Sequence, residues 1–396
     1  MLRTHLWRVF IAVGLAYSIE EPSMKRIDQL EGLRGLLAAW VVLVHLLPAA
    51  GIDPDSMGAL KPLINEKIRV QIFCIMSGFV IFVMMSSLSE DYSTYIARRI
   101  KRIYPVYIFA FFLSIGFAWI AYQALHTADF GSVRNAGRIA ILDRSFENWE
   151  MNTLAHMTML HGIIPDSWLP LGAYAFLGQA WNISTEFQFY LIAPLAFWCL
   201  HHSSNLLRVG FLAAAVFGVW YFRHWPNGAI LANYAIYFAT GIASYYLWKM
   251  RWDEQPFMSP PVVLPLAAVV GYFDLAIGAW IFVFTSAIMV RDKGRKKGFV
   301  ALFLEHPVMM FLGTVSYSLY LLHMIPLYGW MYVLNDQGLS QGTYFAMLAA
   351  LTFATAIPFA YLAHKYVERP FYKSKSHRAP TLATAHATVG PVVETK

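Results

Sequence analysis

The 396-residue sequence is 58% hydrophobic and only 13% charged, and its mean hydropathy is positive. A soluble domain carries about a quarter charged residues, so the composition excludes an ordinary soluble protein and indicates a chain that resides in lipid. The formal net charge of +7 is typical of basic cytoplasmic loops and is no argument for nucleic-acid binding. The two cysteines lie in apolar runs without disulfide or zinc-ligand spacing, and we expect no metal site.

Apolar segments of roughly 20 residues recur along the chain and predict an all-α membrane protein, a polytopic bundle of about ten transmembrane helices. The seventh and eighth segments are short, and only the turn GYFDLAIG separates them. The predicted spans are 34–50, 69–88, 104–124, 181–200, 206–222, 228–248, 259–273, 275–290, 308–332 and 343–366.

These spans define one transmembrane domain, 24–371, between two tails. We interpret residues 1–23 as a signal-like segment, an interfacial helix or the product of an upstream start codon, because their apolar run is short for a span. Residues 372–396 are predicted to be a disordered cytoplasmic tail. The longest connection, 125–180, contains an amphipathic piece at 151–162 that suits the membrane surface.

Basic residues predict the orientation. They concentrate in the connections 89–103 and 291–298 and after the sixth span, at Lys249 and Arg251. With ten spans these connections fall on one side together with both termini, and the positive-inside rule assigns that side to the cytoplasm. We therefore predict a multi-pass protein of the inner (plasma) membrane with both termini in the cytoplasm.

The first candidate cluster lies in LEGLRGLLAAWVVLVH, residues 30–45, which holds Arg34 and His45 at the ends of an uncharged run. On an α-helix the two residues lie near the same face, roughly 16 Å apart along the axis, or about half the depth of a bilayer core. An ionisable group at that depth is costly and is by default a functional candidate. A satisfied packing histidine at this position fits the pattern equally well.

The second cluster combines Ser77 with the basic run ARRIKRIYP, which holds Arg98, Arg99 and Arg102. The positive-inside rule alone explains this run. Three arginines in five residues also suit a bound phosphate, because guanidinium groups bind phosphate oxygens in a bidentate way. Ser77 and the glycine after it are small residues of the kind that permit close helix packing.

The third cluster is WNISTEFQFY, residues 181–190, in which Asn182, Glu186 and Tyr190 recur every four residues and so share one helix face. A carboxylate within an apolar span faces a cavity or a partner and not lipid. Glu186 is therefore a candidate site residue. The alternative is a structural pair with an arginine or histidine of a neighbouring helix.

The fourth cluster is LGTVSYSLYLLHMIP, residues 312–326, where Ser316, Tyr320 and His323 share a face. Hydrogen bonding between helices explains these residues at least as well as catalysis does. Farther on, Glu368 and the following arginine resemble a local salt bridge that ends the last span.

An intramembrane histidine, a carboxylate and an arginine cluster fit two classes of function. In acyl transfer, an imidazole takes the proton of an attacking hydroxyl, a carboxylate orients the imidazole, and arginines hold the phosphates of a donor such as coenzyme A. Proton-coupled transport also uses buried histidine and glutamate. The residues alone leave both classes open.

The order of these motifs resembles the acyltransferase-3 family of integral membrane acyltransferases. The resemblance spans residues 27–371, and six motifs in order on this span pattern are specific. The matching motifs are Glu31–Gly35 with a histidine eleven residues after its arginine, the S-G-F motif that ends at Phe79, the R-x-x-R element 99–102 before Ile103–Pro105, Trp181–Tyr190 with Asn182 in place of the usual serine, Ser316–His323, and Glu368–Phe371.

The resemblance implies an enzyme that moves an acyl group, expected to be acetyl, from acyl-CoA to a hydroxyl of a cell-surface or lipid-linked glycan. Acetyl-CoA is expected as co-substrate, with membrane lipid around the protein and no permanently bound cofactor. A transporter or flippase of modified glycan, and an acyltransferase for a small molecule such as a macrolide sugar, are the alternatives. The implied residues are His45 and Glu186 as catalytic, Arg34, Arg98, Arg99 and Arg102 as donor-binding, and Ser77, Trp181, Asn182, Tyr190, Ser316, Tyr320 and His323 as further site candidates.

Overall fold

The computed structural model describes residues 27–88, 90–250, 260–292 and 298–372. These residues form helices and turns with no strand among them, which confirms the predicted all-α class. The predicted N-terminal extension, the basic residues 293–297 and all of the predicted tail except Tyr372 lie outside the described residues. The α-helices are α1 (Asp28–Ala49), α2 (Glu66–Ser87), α3 (Tyr92–His126), α4 (Val133–Glu147), α5 (Trp149–Met157), α6 (Trp181–His201), α7 (Asn205–Phe222), α8 (Ala235–Lys249), α9 (Pro260–Phe273), α10 (Leu275–Asp292), α11 (Phe299–Leu304), α12 (Pro307–Leu322), α13 (Met324–Leu334) and α14 (Gln341–Ala363).

Short turns complete the described chain. One-turn helices occupy Lys61–Ile64 and Arg369–Tyr372, and a π-turn, His364–Glu368, follows α14. The 3₁₀ turns are Pro54–Leu60, His161–Ile163, Gly172–Tyr174, Gly178–Ala180 and Leu231–Tyr234.

Six of the described helices, α1, α2, α3, α6, α7 and α14, are long and apolar enough to cross a membrane. The bent pair α12 and α13 makes a seventh if it counts as one span. The predicted count of about ten is not confirmed, because the segments at α8, α9 and α10 are helical and apolar but shorter. The fold is therefore that of a helical membrane protein.

The largest departure from the predicted spans is α3, which is 35 residues long. Its first turn is capped by Asp91, whose carboxylate accepts a hydrogen bond from the backbone N–H of Thr94 at 2.7 Å. This bond and those from neighbouring hydroxyls lower the pKa of Asp91. The prediction of a connection over 89–103 was wrong: the basic run lies inside the helix, and Pro105 is accommodated within it.

The predicted span 308–332 is broken in two. The axes of α12 and α13 differ by 60°, and His323 lies at the break. Pro326, in the first turn of α13, supplies the physical cause, because it has no N–H for the carbonyl four residues earlier and its ring crowds that carbonyl. The break leaves the last carbonyls of α12 available to a side chain at the bend.

Glycines of the sequence motifs let helix backbones touch. A Cβ atom at Gly35 of α1 would lie 2.5 Å from the backbone nitrogen of Gly313 in α12, and one at Gly241 of α8 would lie 2.0 Å from the carbonyl oxygen of Ile75 in α2. These are also the two most extensive helix contacts of the fold. Close packing of this kind is the usual role of small residues between membrane helices, and it fixes α1 against α12 and α2 against α8.

The connection after α3 is structured. In α5, Met151, Leu154 and Met157 are exposed, whereas Asn152 and His156 are fully buried. The apolar side thus faces outward and the polar side faces the protein. An outward apolar face suits the predicted position of this segment on the membrane surface.

Candidate active site

Five helices enclose a cavity of about 100 Å³. Nine of the thirteen predicted site residues line it, and four do not: His45, Arg98, Trp181 and His323. The nine are Arg34 from α1, Ser77 from α2, Arg99 and Arg102 from α3, Asn182, Glu186 and Tyr190 from α6, and Ser316 and Tyr320 from α12.

Glu186 lies at the centre of the hydrogen bonding in this cavity. Its Oε1 accepts a hydrogen bond from Ser77 Oγ at 2.6 Å and a second one from the hydroxyl of Tyr190. Oε2 accepts no hydrogen bond from the described residues, and none of their cationic groups forms an ion pair with Glu186. Two hydroxyl donors therefore stabilise the carboxylate, and its second oxygen remains available to a ligand.

Three guanidinium groups line the same cavity. Arg34 approaches Glu31 at 3.9 Å, and Arg99 is 95% buried, with its guanidinium about 6 Å from the ring centroids of Tyr95 and Tyr190. Arg102 forms no hydrogen bond or ion pair with a described side chain. With a single carboxylate in its lining, the cavity carries an excess of positive charge and suits an anion.

Arg98 is not placed with the other arginines. Its guanidinium pairs with Glu90 and lies outside the cavity lining. Around α3, Arg102 lies between the other two arginines, about 40° from Arg98 and about 60° from Arg99. The helical path alone therefore does not separate Arg98 from the cavity; its ion pair with Glu90 holds its guanidinium outside the lining.

The remaining residues of the third cluster divide between cavity and core. Asn182 lines the cavity, and its Oδ1 lies 3.8 Å from the thiol of Cys74. Trp181 instead packs its ring 5.2 Å from that of Tyr234. The face that the sequence indicated therefore lines the cavity, whereas Trp181, at the start of the same helix, does not.

His45 and His323 form a pair beyond one wall of the cavity. Their ring centroids are 5.2 Å apart. The ring of Tyr320, which lines the cavity, lies 6.5 Å from that of His323 and 6.3 Å from that of Phe73. A single aromatic side chain thus adjoins both the cavity and the histidine pair.

Arg138 of α4 completes the surroundings of this pair. Its Nη2 lies 3.1 Å from Nδ1 of His45 and 3.2 Å from the backbone oxygen of His45, and its Nη1 donates to Asn135. No sequence signal pointed to Arg138, because it comes from a helix between spans and reaches His45 only through the tertiary fold. Tyr317 was also missed: it lines the cavity while its hydroxyl donates to the backbone oxygen of Ile103.

The expected salt bridge of Glu368 is replaced by other partners. Ser318 Oγ donates to Glu368 Oε2 at 2.8 Å, and Nδ1 of His364 lies 3.0 Å from the same oxygen. Arg369, the expected partner, is exposed. The π-turn places His364 and Glu368 on one side, which explains why the adjacent residues do not pair.

A second histidine pair, His156 and His161, is fully buried between the spans. The rings stack with centroids 3.8 Å apart. Nε2 of each ring donates to a backbone oxygen, so both Nδ1 atoms are acceptors. Both face the hydroxyl of Tyr107, at 3.0 Å from His156 and 3.4 Å from His161, and its one proton serves a single acceptor at a time. Burial lowers the pKa of His156 to about 4 and lowers that of His161 well below its ordinary value. Both rings are therefore neutral at neutral pH.

No group of three or more histidine, cysteine, aspartate or glutamate side chains among the described residues is placed to hold a metal ion. Cys74 and Cys199 are both buried free thiols. The polar groups of the cavity are thus arginines, hydroxyls, an amide and one carboxylate, a set that suits an anionic organic ligand.

Comparison with known proteins defines the class of the chain. Residues 27–363 match the model of the acyltransferase-3 family, described as an acyltransferase domain. The chain is 28% identical over 184 residues to acyltransferase MdmB of Streptomyces mycarofaciens, a match that covers 44% of this chain and 40% of that protein. No solved structure matches the chain. Since the family model covers most of the chain, the protein belongs to the acyltransferase-3 family, and its long apolar helices make it a membrane protein.

Proposed function

We propose that the protein transfers an acetyl group from acetyl-CoA to a hydroxyl of a cell-surface or lipid-linked glycan. The observation that carries this proposal is the cavity lined by Arg34, Arg99, Arg102 and one carboxylate, with a histidine pair beyond one wall. Its positive charge suits the phosphates of coenzyme A, because guanidinium groups bind phosphate oxygens in pairs. The histidines supply the proton transfer that attack on a thioester requires.

The donor is proposed to lie along α1. Its phosphates contact the arginines at the Arg34 end, and its thioester reaches past Tyr320 towards His45 and His323. The unpaired Oε2 of Glu186 then serves as an acceptor for a polar group of the donor or acceptor. Catalytic His45 and Glu186 thus act at different depths of one site.

The glycan acceptor is supported by the resemblance of the sequence motifs. A glycan acceptor makes the protein an O-acetyltransferase of polysaccharide biosynthesis in the cell envelope.

We propose that α8, α9 and α10 also cross the bilayer, which gives ten spans with the bent pair counted as one. Both termini and the Arg34 end then face the cytoplasm of the inner membrane, as the basic run of α3 favours. The acceptor approaches the histidine pair from the opposite side.

The test uses membranes from cells with and without the protein, incubated with acetyl-CoA that is radiolabelled in the acetyl group. Label is expected in the glycan fraction only when the protein is present. Arg98→Ala is the matched control that should retain transfer, whereas combined Arg99→Ala and Arg102→Ala should abolish it. Label confined to a small soluble compound would contradict the glycan acceptor and favour a small-molecule acyltransferase. Absence of label from every acceptor fraction would contradict acetyl-CoA as the donor.

A further inference from the structure

The hydrogen bonds around the pair His45 and His323 show which nitrogen of each neutral ring carries the proton. An arginine side chain has donors only, so the contact of Arg138 with Nδ1 of His45 requires that Nδ1 accepts. The neutral ring of His45 therefore carries its proton on Nε2. Protonation of Nδ1 would bring an N–H group against the guanidinium, two donors of like charge, and is disfavoured as long as Arg138 stays in place.

His323 has the opposite arrangement. Its Nδ1 lies 2.8 Å from the backbone oxygen of Tyr320 and 3.2 Å from that of Leu319. Carbonyl oxygens only accept, so Nδ1 carries the proton and the lone pair of the neutral ring is on Nε2. The broken end of α12 thus supplies the acceptors that hold this ring in one tautomer.

The Nε2 atom of His323 is buried and has no hydrogen-bond partner among the described residues. The whole side chain is fully buried. A buried polar atom without a partner is uncommon and costs free energy, so it calls for an explanation. A lone pair that awaits a donor is what a general base presents before its substrate binds.

From these contacts we infer that His323 is the general base of the reaction and that His45 acts as an N–H donor held by Arg138. The inference rests on the proposed function, and it assigns the base to His323, whereas the sequence motifs imply His45 as the catalytic histidine. His323 adjoins Tyr320 of the cavity wall and lies 5.2 Å, ring to ring, from His45. Both reactive nitrogens therefore belong to one small region at the bend of α12 and α13.

The reaction begins at the acceptor hydroxyl. Nε2 of His323 takes the proton of the acceptor hydroxyl, and the oxygen bonds to the thioester carbonyl carbon. Nε2–H of His45 donates to the carbonyl oxygen, which bears the negative charge of the tetrahedral intermediate. The carbon–sulfur bond then breaks, and the sulfur of coenzyme A takes the proton from His323. The products are the ester and the free thiol.

The test compares His323→Gln with His45→Gln in purified protein, with labelled acetyl-CoA and the acceptor fraction that the membrane experiment identifies. His126→Gln is the matched control, an exposed histidine at the end of α3. We expect His323→Gln to lower kcat by about 10²- to 10⁴-fold and to remove the decline of kcat/KM on the acidic side of the pH profile. His45→Gln should lower kcat by about 10²- to 10³-fold, as loss of an oxyanion donor does, and should keep that decline.

Folding is monitored by melting temperature and size-exclusion chromatography in detergent. If His323→Gln does not fold, His323→Asn replaces it, since an asparagine amide can still donate to the oxygen of Tyr320 but has no basic nitrogen. Near-normal turnover of either folded variant would overturn the inference, as would an acidic decline that disappears in His45→Gln and persists in the His323 variant. Wild-type protein that transfers no label would instead overturn the proposed function itself.

Discussion

The two buried histidine pairs of this protein are alike in composition and opposite in hydrogen bonding. In the pair His156 and His161, every ring nitrogen faces a hydroxyl or a backbone oxygen. In the pair His45 and His323, one nitrogen is buried without a partner and one accepts from a guanidinium. Histidines whose nitrogens all face oxygens of the protein hold a fold together, whereas a buried lone pair that faces no polar group is available for chemistry.

The largest expected effect is the loss of acyl transfer when the imidazole of His45 is removed. His45→Ala should lower acyl transfer by about 10²- to 10⁴-fold, because it removes a group that we propose to act on the substrate. It should lower the melting temperature less than His156→Ala does, because Arg138 keeps Asn135 and the backbone oxygen of residue 45 as acceptors. His156→Ala should do the reverse: it leaves the buried hydroxyl of Tyr107 with fewer partners and lowers stability by about 1–3 kcal/mol, while activity per folded molecule is retained. Transfer assays and thermal unfolding in detergent measure both. Equal effects of the two variants on either quantity would contradict the distinction.

The next effect extends the comparison to Glu186, whose hydrogen bonding is also incomplete. Glu186→Gln keeps an acceptor for Ser77 and Tyr190 and removes only the charge. Activity should fall by about 10²-fold, because the charged acceptor proposed to bind a polar group of a substrate becomes neutral. The melting temperature should change little, because no cationic group of the described residues forms an ion pair with Glu186 and both hydroxyl donors keep their acceptor. Glu147→Gln is the control, an exposed carboxylate paired with Arg144 on α4. A strongly destabilised Glu186→Gln protein would show that the carboxylate is structural.

A smaller effect concerns the arginines. Changing both Arg99 and Arg102 to lysine keeps the charge that orients the helix and loses the planar fork that binds phosphate. The KM for acetyl-CoA should rise about tenfold, which corresponds to about 1.4 kcal/mol, with normal membrane insertion. Arg98→Lys, one residue away but outside the cavity, should leave KM unchanged. If all three substitutions have the same effect, the run acts only as a topology signal.

The last effect is one of pH on stability and concerns the structural pair, His156 and His161. Burial lowers the pKa of His156 to about 4 in the folded protein, while an unfolded histidine titrates near 6.5. The unfolded chain therefore binds the proton first, so the stability contribution is complete above about pH 6.5 and is lost as the pH falls towards 4. Melting temperatures between pH 7 and 4.5 should decline in the wild type and decline less in His156→Asn. A flat wild-type profile over this range would contradict a neutral buried His156.

The sequence predicted the elements of the cavity because they depend on local patterns. Helical spacing placed Asn182, Glu186 and Tyr190 together, and the cavity contains all three. The break at His323 could have been predicted from Pro326. Pro105, however, lies inside an unbroken α3, so a proline alone does not predict such a break. Tertiary packing determines which outcome a proline has.

Other features depend on contacts between distant segments and have no local signal. Arg138 reaches His45 across 93 positions of the chain. The partners of His156 and His161 come from α3 and from turns near Gly172 and Ala180. In the sequence both histidines lie in an amphipathic piece that resembles a membrane-surface segment. The hydrogen-bond partners by which the two pairs differ are brought together only in the folded chain.

The rigid helix α1 has a consequence for the choice of donor. Arg34 and His45 lie on one unbroken helix whose backbone is locked against α12 at Gly35, so about 16 Å separates them along the axis. If the donor binds as proposed, the length of α1 sets the distance between the site of the phosphates and the site of the thioester. The phosphates of a donor with a shorter chain before its thioester would bind the arginines, but the thioester would not reach the histidines. The protein would then select intact coenzyme A by the length of the chain between its phosphates and its thioester. That length is matched to the number of helical turns in α1, and no contact with the chain itself is needed.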